Sequence, residues 1–281
     1  MKCKLVDVFA KQKYAGNGLT IFYDYEALSL QDMQQLTQEM RQFESIFLSE
    51  KDGQFSAKIF TMEEELDFAG HPLLGLAYHL HECFGSAQQH EWQVQLNQST
   101  ITLNSEWQQG AFKATMNQGQ PKCITTLDQE QAAPFFEALS IAQSTQSNYP
   151  VEVISTGLSY MILPVIGGLE GIKFQVSDLT PLLSLYGAKF LYVIDINALE
   201  GRTWDNEGRV EDIATGSAAG PVGAYLYKYA IVKQTSMTIK QGRFLDRPSQ
   251  IQVELVCDQG GIAEVKVSGN VVKVADIDFS E

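Results

Sequence analysis

Short runs of alternating apolar and polar residues, broken by glycine, asparagine and serine, make up most of this chain. Residues 4–9 (KLVDVF) have the two-residue period of a strand, Gly16-Asn17-Gly18 breaks it, and residues 19–23 (LTIFY) resume it. Ser29 supplies an N-cap with Asp32 in the first turn, and Leu30, Met33, Leu36 and Met40 recur at helical spacing, which predicts an amphipathic helix. Residues 45–48, 56–61, 91–96, 101–103 and 112–116 are further strands between turn signals. The polar stretch 117–121 (NQGQP) then interrupts the pattern, and a helix is predicted near 129–139. Beyond it VEVIS, YMILPV, KFLYVIDI, SMTIK, IQVELV, AEVKV and VVKVADI read as separate short strands punctuated by glycine. Strands outnumber helices, so the expected class is α+β rather than a doubly wound α/β sheet.

Two segments stand apart because they are apolar nearly all round. Residues 65–80 read ELDFAGHPLLGLAYHL and residues 211–226 read EDIATGSAAGPVGAYL, and their glycines are offset by 216 − 70 = 146, close to half the chain. Each has an acidic approach, a glycine, a small polar or imidazole residue and then a helix. Glu82 is the only Asp, Glu, Lys or Arg in 71–84, as Lys228 is in 217–229. Helices of this kind belong inside a core. The expectation is two pseudo-symmetric domains, residues 1–118 and 119–281, each a β-rich curled sheet around a central buried helix, with the last strand returning to the first domain.

Charge and composition narrow the partners. Twenty Lys+Arg against 34 Asp+Glu give 20 − 34 = −14, with an isoelectric point near 4.7 and no basic cluster, so nucleic acid is not an expected partner. No apolar run approaches the roughly 20 residues that span a bilayer, so a soluble, cytoplasmic chain with no membrane partner is expected. Cys3, Cys83, Cys123 and Cys257 form no CxxC pair and lack the histidine companions of a zinc site. They read as reduced structural thiols, with no metal.

The candidate chemistry sits where the two buried helices begin. Ala69-Gly70-His71-Pro72 and Thr215-Gly216-Ser217-Ala218 would present free N–H donors suited to an anion, and Pro72 suits a first helical turn because its missing N–H was an orphan there anyway. Taken singly, each loop reads as an ordinary cap. Repeated at one offset, they become a candidate site. His71 opens the first helix, whereas His79, His81 and His90 lie later, in structural settings. Asp212 approaches the second loop, and Glu44, flanked by Phe43 and Ile46, stands at the junction of a helix and a strand as a candidate general acid/base.

AGNGLTIF, FESIFL, KIFTMEEELDFAGHPLLGLA, EDIATGSAAGP, QGRFLDRPS and EVKVSGN resemble, in this order, segments of the phenazine-biosynthesis PhzF-like isomerases, over nearly the whole chain. The resemblance implies the diaminopimelate-epimerase fold, with the active site between two domains, and a homodimer. It also implies roles: Glu44 as the carboxylate that shuttles a proton between carbons, His71 and Asp212 as residues that orient the substrate and assist proton movement, and Gly70, Gly216 and Ser217 as contacts to its carboxylate or polar groups. Gly18 departs from the family, which usually has Pro there, as does Phe43, which replaces a small polar residue.

Racemases and epimerases of the same fold place a thiol before each glycine. Here those positions are Ala69 and Thr215, and neither side chain can take a proton from carbon. A single carboxylate moving a proton within one substrate fits better. The expected function is a cofactor-independent isomerase of a small unsaturated or cyclic carboxylate, of the trans-2,3-dihydro-3-hydroxyanthranilate isomerase type. The competing readings are a non-catalytic small-ligand or protein-binding module and an amino-acid epimerase with bases other than cysteine.

Overall fold

The computed structural model describes residues 1–279, in which the chain divides into two units. The first is Met1–Asn117 with Asp246–Ser249 and the stretch beginning at Ser268; the second is Gln118–Leu245 with Gln250–Val267. In chain order the first unit contains β1 (Lys2–Val8), β2 (Asn17–Tyr23), α1 (Leu30–Met40), β3 (Glu44–Lys51), β4 (Gln54–Thr61), β5 (Glu65–Leu66), α2 (Gly70–Phe84), β6 (Gln89–Gln95), β7 (Thr100–Gln108) and β8 (Ala111–Asn117). The second contains β9 (Lys122–Leu127), α3 (Gln129–Ala138), β10 (Val151–Ser155), β11 (Ser159–Val165), α4 (Thr180–Ser184), β12 (Phe190–Asp195), β13 (Glu200–Arg202), α5 (Gly216–Lys228), β14 (Ser236–Gln241) and β15 (Ser249–Asp258). The last strand, β16 (Gly261–Asp278), begins in the second unit and ends in the first.

In the first unit the strand order β1-β2-β3-β4-β6-β7-β8-β16 returns to its start, because β16 also pairs antiparallel with β1. Helix α2 lies inside this circuit, packed on β1, β2, β3, β6, β7 and β8, and every residue from Gly70 to His81 is buried. Its sequence, apolar on all faces, is what such an enclosure requires. Helix α1 takes the other side of the sheet: Met33 joins Cys3, Phe22, Phe47 and Phe60 in a second cluster. Ser29 and Asp32 cap α1 reciprocally, each side chain accepting from the other's backbone N–H. Strands β2 and β3 run parallel, which demands a crossover connection, and α1 supplies it.

In the second unit the order runs from β16 through β15, β14, β13, β12, β11 and β10 to β9. Helix α5 packs on β10, β11 and β14 and is buried from Gly216 to Leu226 except at Ser217. Helices α3 and α4 lie against β9 and β12, where Phe135, Phe136 and Leu183 meet Met161, Leu163 and Val193 in one core cluster.

Each inner helix is fastened at its far end to a strand of its own unit by a charge pair, and the polarity is reversed between the two units. Lys4 of β1, 2% exposed, donates to Glu82 of α2, which also accepts from Tyr78 and pairs with Lys273. Glu152 of β10, fully buried, accepts from Lys228 of α5 at 2.6 Å, from Tyr229 at 2.6 Å and from Thr126 at 2.9 Å. Glu82 and Lys228 are offset by 228 − 82 = 146, the same offset as the glycines.

Near this end of α2, His79 is 2% exposed and lies against Tyr23 with ring centroids 4.3 Å apart. Burial, and then the charge of Lys4, hold its pKa down at about 4. Between pH 4 and 6.5 the unfolded chain therefore binds a proton at this site that the native chain does not. Stability is fully present above that window and falls with pH across it, by about 3 kcal/mol. A His79→Leu variant is expected to lose this part of the acid dependence, read as unfolding midpoint against pH; an unchanged slope would contradict the assignment.

Three expectations are modified. AEVKV and VVKVADI are one strand, β16, because Gly269 lies beneath Phe9: a Cβ there would come within 2.4 Å of the Phe9 ring. The Ser-Gly-Asn between them is a packing contact, not a turn. Gly18 continues β2 rather than breaking it, paired with Asp7. All four cysteines are free, and only Cys3 is buried; burial pushes its thiol up to about 11, so it is a poor thiolate and a structural residue, while the other three are exposed. No helix among the described residues is long and apolar enough to cross a membrane.

Candidate active site

Glu44 is the first residue of β3, paired with Leu19 on one side and Thr61 on the other, and is 6% exposed. His71 is the second residue of α2, 4% exposed. The structure brings these two together: His71 Nδ1 lies 3.0 Å from Glu44 Oε2. Because β2 and β3 are parallel, their first residues fall at the same end, and Asn17, the first residue of β2, puts its Nδ2 3.5 Å from the same His71 nitrogen. An Nδ1–H donating to the Glu44 carboxylate turns Nε2 away as an acceptor. Nε2 is buried and has no hydrogen-bond partner among the described residues. A polar atom buried in that condition calls for a partner from outside the chain.

Gly70 begins α2, and the residue before it, Ala69, is extended (φ −149°, ψ 141°) and offers no side-chain cap. An alanine at that position leaves the helix start without the oxygen that Ser, Thr, Asp or Asn would supply. Gly18 lies close by: a Cβ there would come within 2.1 Å of Gln42 Oε1, so this chain fills with the Gln42 amide the space that a larger residue at 18 would need.

In the second unit, Asp212 (8% exposed) accepts a short hydrogen bond from Thr215 Oγ1 and one from Ala214 N at 3.3 Å. Gln241, at the end of β14, binds this turn from behind. Its Nε2 donates to the Asp212 carbonyl at 2.8 Å and to Thr215 Oγ1 at 3.0 Å. Its Oε1 accepts from Thr215 N at 3.1 Å and from Tyr192 Oη at 3.0 Å. With its hydroxyl committed to Asp212, Thr215 does not cap α5, so this helix start resembles the first in lacking a side-chain cap. Gly216 O accepts from Gln118 Nε2 at 2.9 Å, and Ser217 Oγ lies 2.7 Å from Tyr160 Oη. A Gln241→Ala substitution removes four hydrogen bonds from a residue that is 1% exposed. It is expected to lower stability by roughly 2–4 kcal/mol, measured by denaturant unfolding.

The sequence reading singled out Glu44, His71, Gly70, Asp212, Gly216 and Ser217, named Thr215 only as part of its loop, and passed over Asn17, Gln241 and Tyr160. Asn17 read as a turn residue between two glycines, and Gln241 as the end of a strand; only the fold puts them beside His71 and Asp212. The remaining histidines have structural partners. His81 Nδ1 is 2.8 Å from Ser105 Oγ and its Nε2 3.1 Å from Ala87 O, while His90 Nε2 accepts from Ser86 N and Ala87 N at 2.8 Å each.

A sequence model of the family described as phenazine biosynthesis-like protein matches residues 6–276. The trans-2,3-dihydro-3-hydroxyanthranilate isomerase of Pseudomonas chlororaphis is 32% identical over 278 residues, covering 95% of this chain and 94% of that protein. A solved structure described as a predicted epimerase from Pseudomonas aeruginosa is similar with a TM-score of 0.91 at 43% identity, covering 99% of this chain and 98% of that one. A probable proline racemase from Agrobacterium radiobacter has a TM-score of 0.63 at 10% identity, covering 99% and 92%. That last likeness concerns the fold alone, which is of the diaminopimelate-epimerase-like kind.

Proposed function

The chain belongs to the phenazine biosynthesis-like family and is an isomerase, and from the geometry of its first unit we propose that it moves a proton within a small unsaturated or cyclic carboxylate. The observation that carries this reading is the buried Glu44–His71 pair at 3.0 Å, with the other imidazole nitrogen left for a ligand. In the proposed reaction the Glu44 carboxylate takes a proton from one carbon of the substrate and returns it to another on the same face. His71 lies against Glu44 through Nδ1, which fixes the plane of the ring, and turns Nε2 toward a polar group of the substrate. Asp212, Gly216 and Ser217 of the second unit are assigned to holding further polar groups, and Gly70 to a backbone contact. A helix start without a side-chain cap favours a carboxylate or a developing negative charge by up to about 2 kcal/mol.

A second base is not part of the scheme. Ala69 and Thr215 occupy the positions directly before Gly70 and Gly216, and Thr215 is engaged with Asp212. Proton transfer by one carboxylate requires neither metal nor organic cofactor, and the proposal includes none.

The test is to incubate the chelator-treated enzyme with trans-2,3-dihydro-3-hydroxyanthranilate, the compound named in the relatives at about 31–32% identity, in deuterated water. Conversion to a double-bond isomer, with the receiving carbon as the site of any deuterium, is the expected result. Exchange of the α-hydrogen of free amino acids without isomerisation of the diene would overturn it, as would turnover that returns only when a metal is restored.

A further inference from the structure

Nothing in the reaction as described uses Arg247, yet its guanidinium makes a denser set of contacts than any surface role requires. Arg247 lies in Asp246–Ser249, the short stretch that joins the first unit. Its Nη2 donates to Asp7 Oδ1 at 2.6 Å and to Ala15 O at 3.3 Å, and its Nε donates to Gly16 O at 2.7 Å. The other oxygen of Asp7 accepts from Tyr14 N at 2.6 Å. Asp7 is 3% exposed and sits on β1 opposite Gly18 of β2. One guanidinium and one buried carboxylate thus hold the end of the 9–16 loop against the strand from which it departs.

The residue that follows this loop is Asn17. Its Nδ2 is 3.5 Å from His71 Nδ1, while Glu44 Oε2 is 3.0 Å from that same nitrogen. A neutral imidazole cannot serve both neighbours at once. With hydrogen on Nδ1 the ring donates to an ionised Glu44. With hydrogen on Nε2, the bare Nδ1 accepts from Asn17, and a protonated Glu44 is free to deliver its proton elsewhere. At 3.5 Å the Asn17 contact is at the limit of a hydrogen bond, so a shift of a fraction of an ångström in the loop decides whether it forms.

We propose that Arg247 is a positioning residue for the Glu44–His71 pair: by clamping Asp7 and the carbonyls of Ala15 and Gly16 it places the Asn17 amide on His71 Nδ1 and so sets the tautomer of the catalytic imidazole. The proposal rests on the proton-shift reading for its catalytic meaning. The arrangement itself is measurable without turnover, so failure of one is distinguishable from failure of the other.

The experiment uses the full-length protein labelled with 15N-histidine. The His71 resonances are identified by their loss in His71→Gln, and the two ring nitrogens are read at one fixed pH in wild type, Arg247→Ala, Asn17→Ala, the double variant and Arg243→Ala. Arg243 pairs with Glu200 in the second unit and controls for the loss of an arginine as such. Arg247→Ala is expected to move His71 toward the Nδ1–H tautomer, in the same direction as Asn17→Ala, with no further movement in the double variant and none in Arg243→Ala. On an active substrate, kcat in Arg247→Ala is expected to fall roughly 10–100-fold, because a standing Nδ1–H bond to the Glu44 carboxylate opposes its uptake of a proton from carbon. Should Arg247→Ala fail to fold, Arg247→Lys, which retains the charge beside Asp7 without the fork that reaches the two carbonyls, is read instead and is expected to shift the tautomer part of the way. An unchanged His71 spectrum in the folded Arg247 variant, or effects of Arg247 and Asn17 that add, would overturn the proposal.

Discussion

Glu44→Gln is expected to lower turnover by roughly 10²–10⁴-fold while leaving the fold in place. The amide has the shape of the carboxylate, and its oxygen can still accept from His71 Nδ1, now at 3.0 Å. What it cannot do is take a proton from carbon. Among its neighbours Asn17 is an amide, Ser45 a hydroxyl and Ala69 has no functional group, and in the proposed reaction His71 Nε2 is engaged with a polar group of the substrate. The rate loss should therefore fall on the chemical step, with kcat reduced far more than KM is changed and with deuterium transfer from solvent to product carbon lost in proportion. Unfolding midpoints measured alongside are expected to stay within about 1–2 kcal/mol of wild type. A Glu44→Gln enzyme that isomerises its substrate at close to the wild-type rate would end the assignment of Glu44 as the acid/base.

The second large effect is structural. Gly75 lies in the middle of α2, and a Cβ at this position would come within 2.3 Å of Leu19 Cδ2 and 3.2 Å of the Val6 and Val8 methyls. All three neighbours are fully buried strand residues. They cannot yield independently, because β1 and β2 are paired along their whole length. Gly75→Val is expected to cost 3 kcal/mol or more, an overpacking penalty at the high end of its range, visible as a lowered denaturant midpoint or as loss of folded protein. The same substitution should silence the site even in a surviving fold, since Leu19 pairs directly with Glu44 and stands two residues from Asn17. Gly223 has a similar relation to Val253 in the second unit, at 2.6 Å. A Gly75→Val protein of wild-type stability would mean that α2 is not held inside its sheet as described.

Residues 65–80 and 211–226 carried much of the fold in plain view. A helix with nearly no charge over three turns has few environments open to it, and two of them half a chain apart imply two like units. The Ser29–Asp32 capping box marks α1 at its first residue. Strand β9 was not legible in the same way: its sequence, KCITTL, shows no burial alternation, and four of its six residues are exposed. It is a strand because β10 offers it a hydrogen-bonding edge. The very short β5 and β13 are likewise set by β4 and β12 rather than by any pattern of their own.

For the site, residue types nominated His71 and Asp212 beside glycine loops and Glu44 at a helix–strand junction, since a carboxylate or imidazole in an apolar setting is costly unless it has a purpose or a partner, and their roles came from the family resemblance. The partners themselves came only with the tertiary structure. Glu44 and His71 are 27 positions apart and meet because β3 and α2 begin at the same end of one sheet. Asp212 is held by Gln241 across 29 positions, and Asp7 by Arg247 across 240. Apolar periodicity acts along a few turns of chain, so it is written locally and can be read locally. A hydrogen bond between distant residues depends on which strands become neighbours and in what register, and that is decided by the packing of the whole unit.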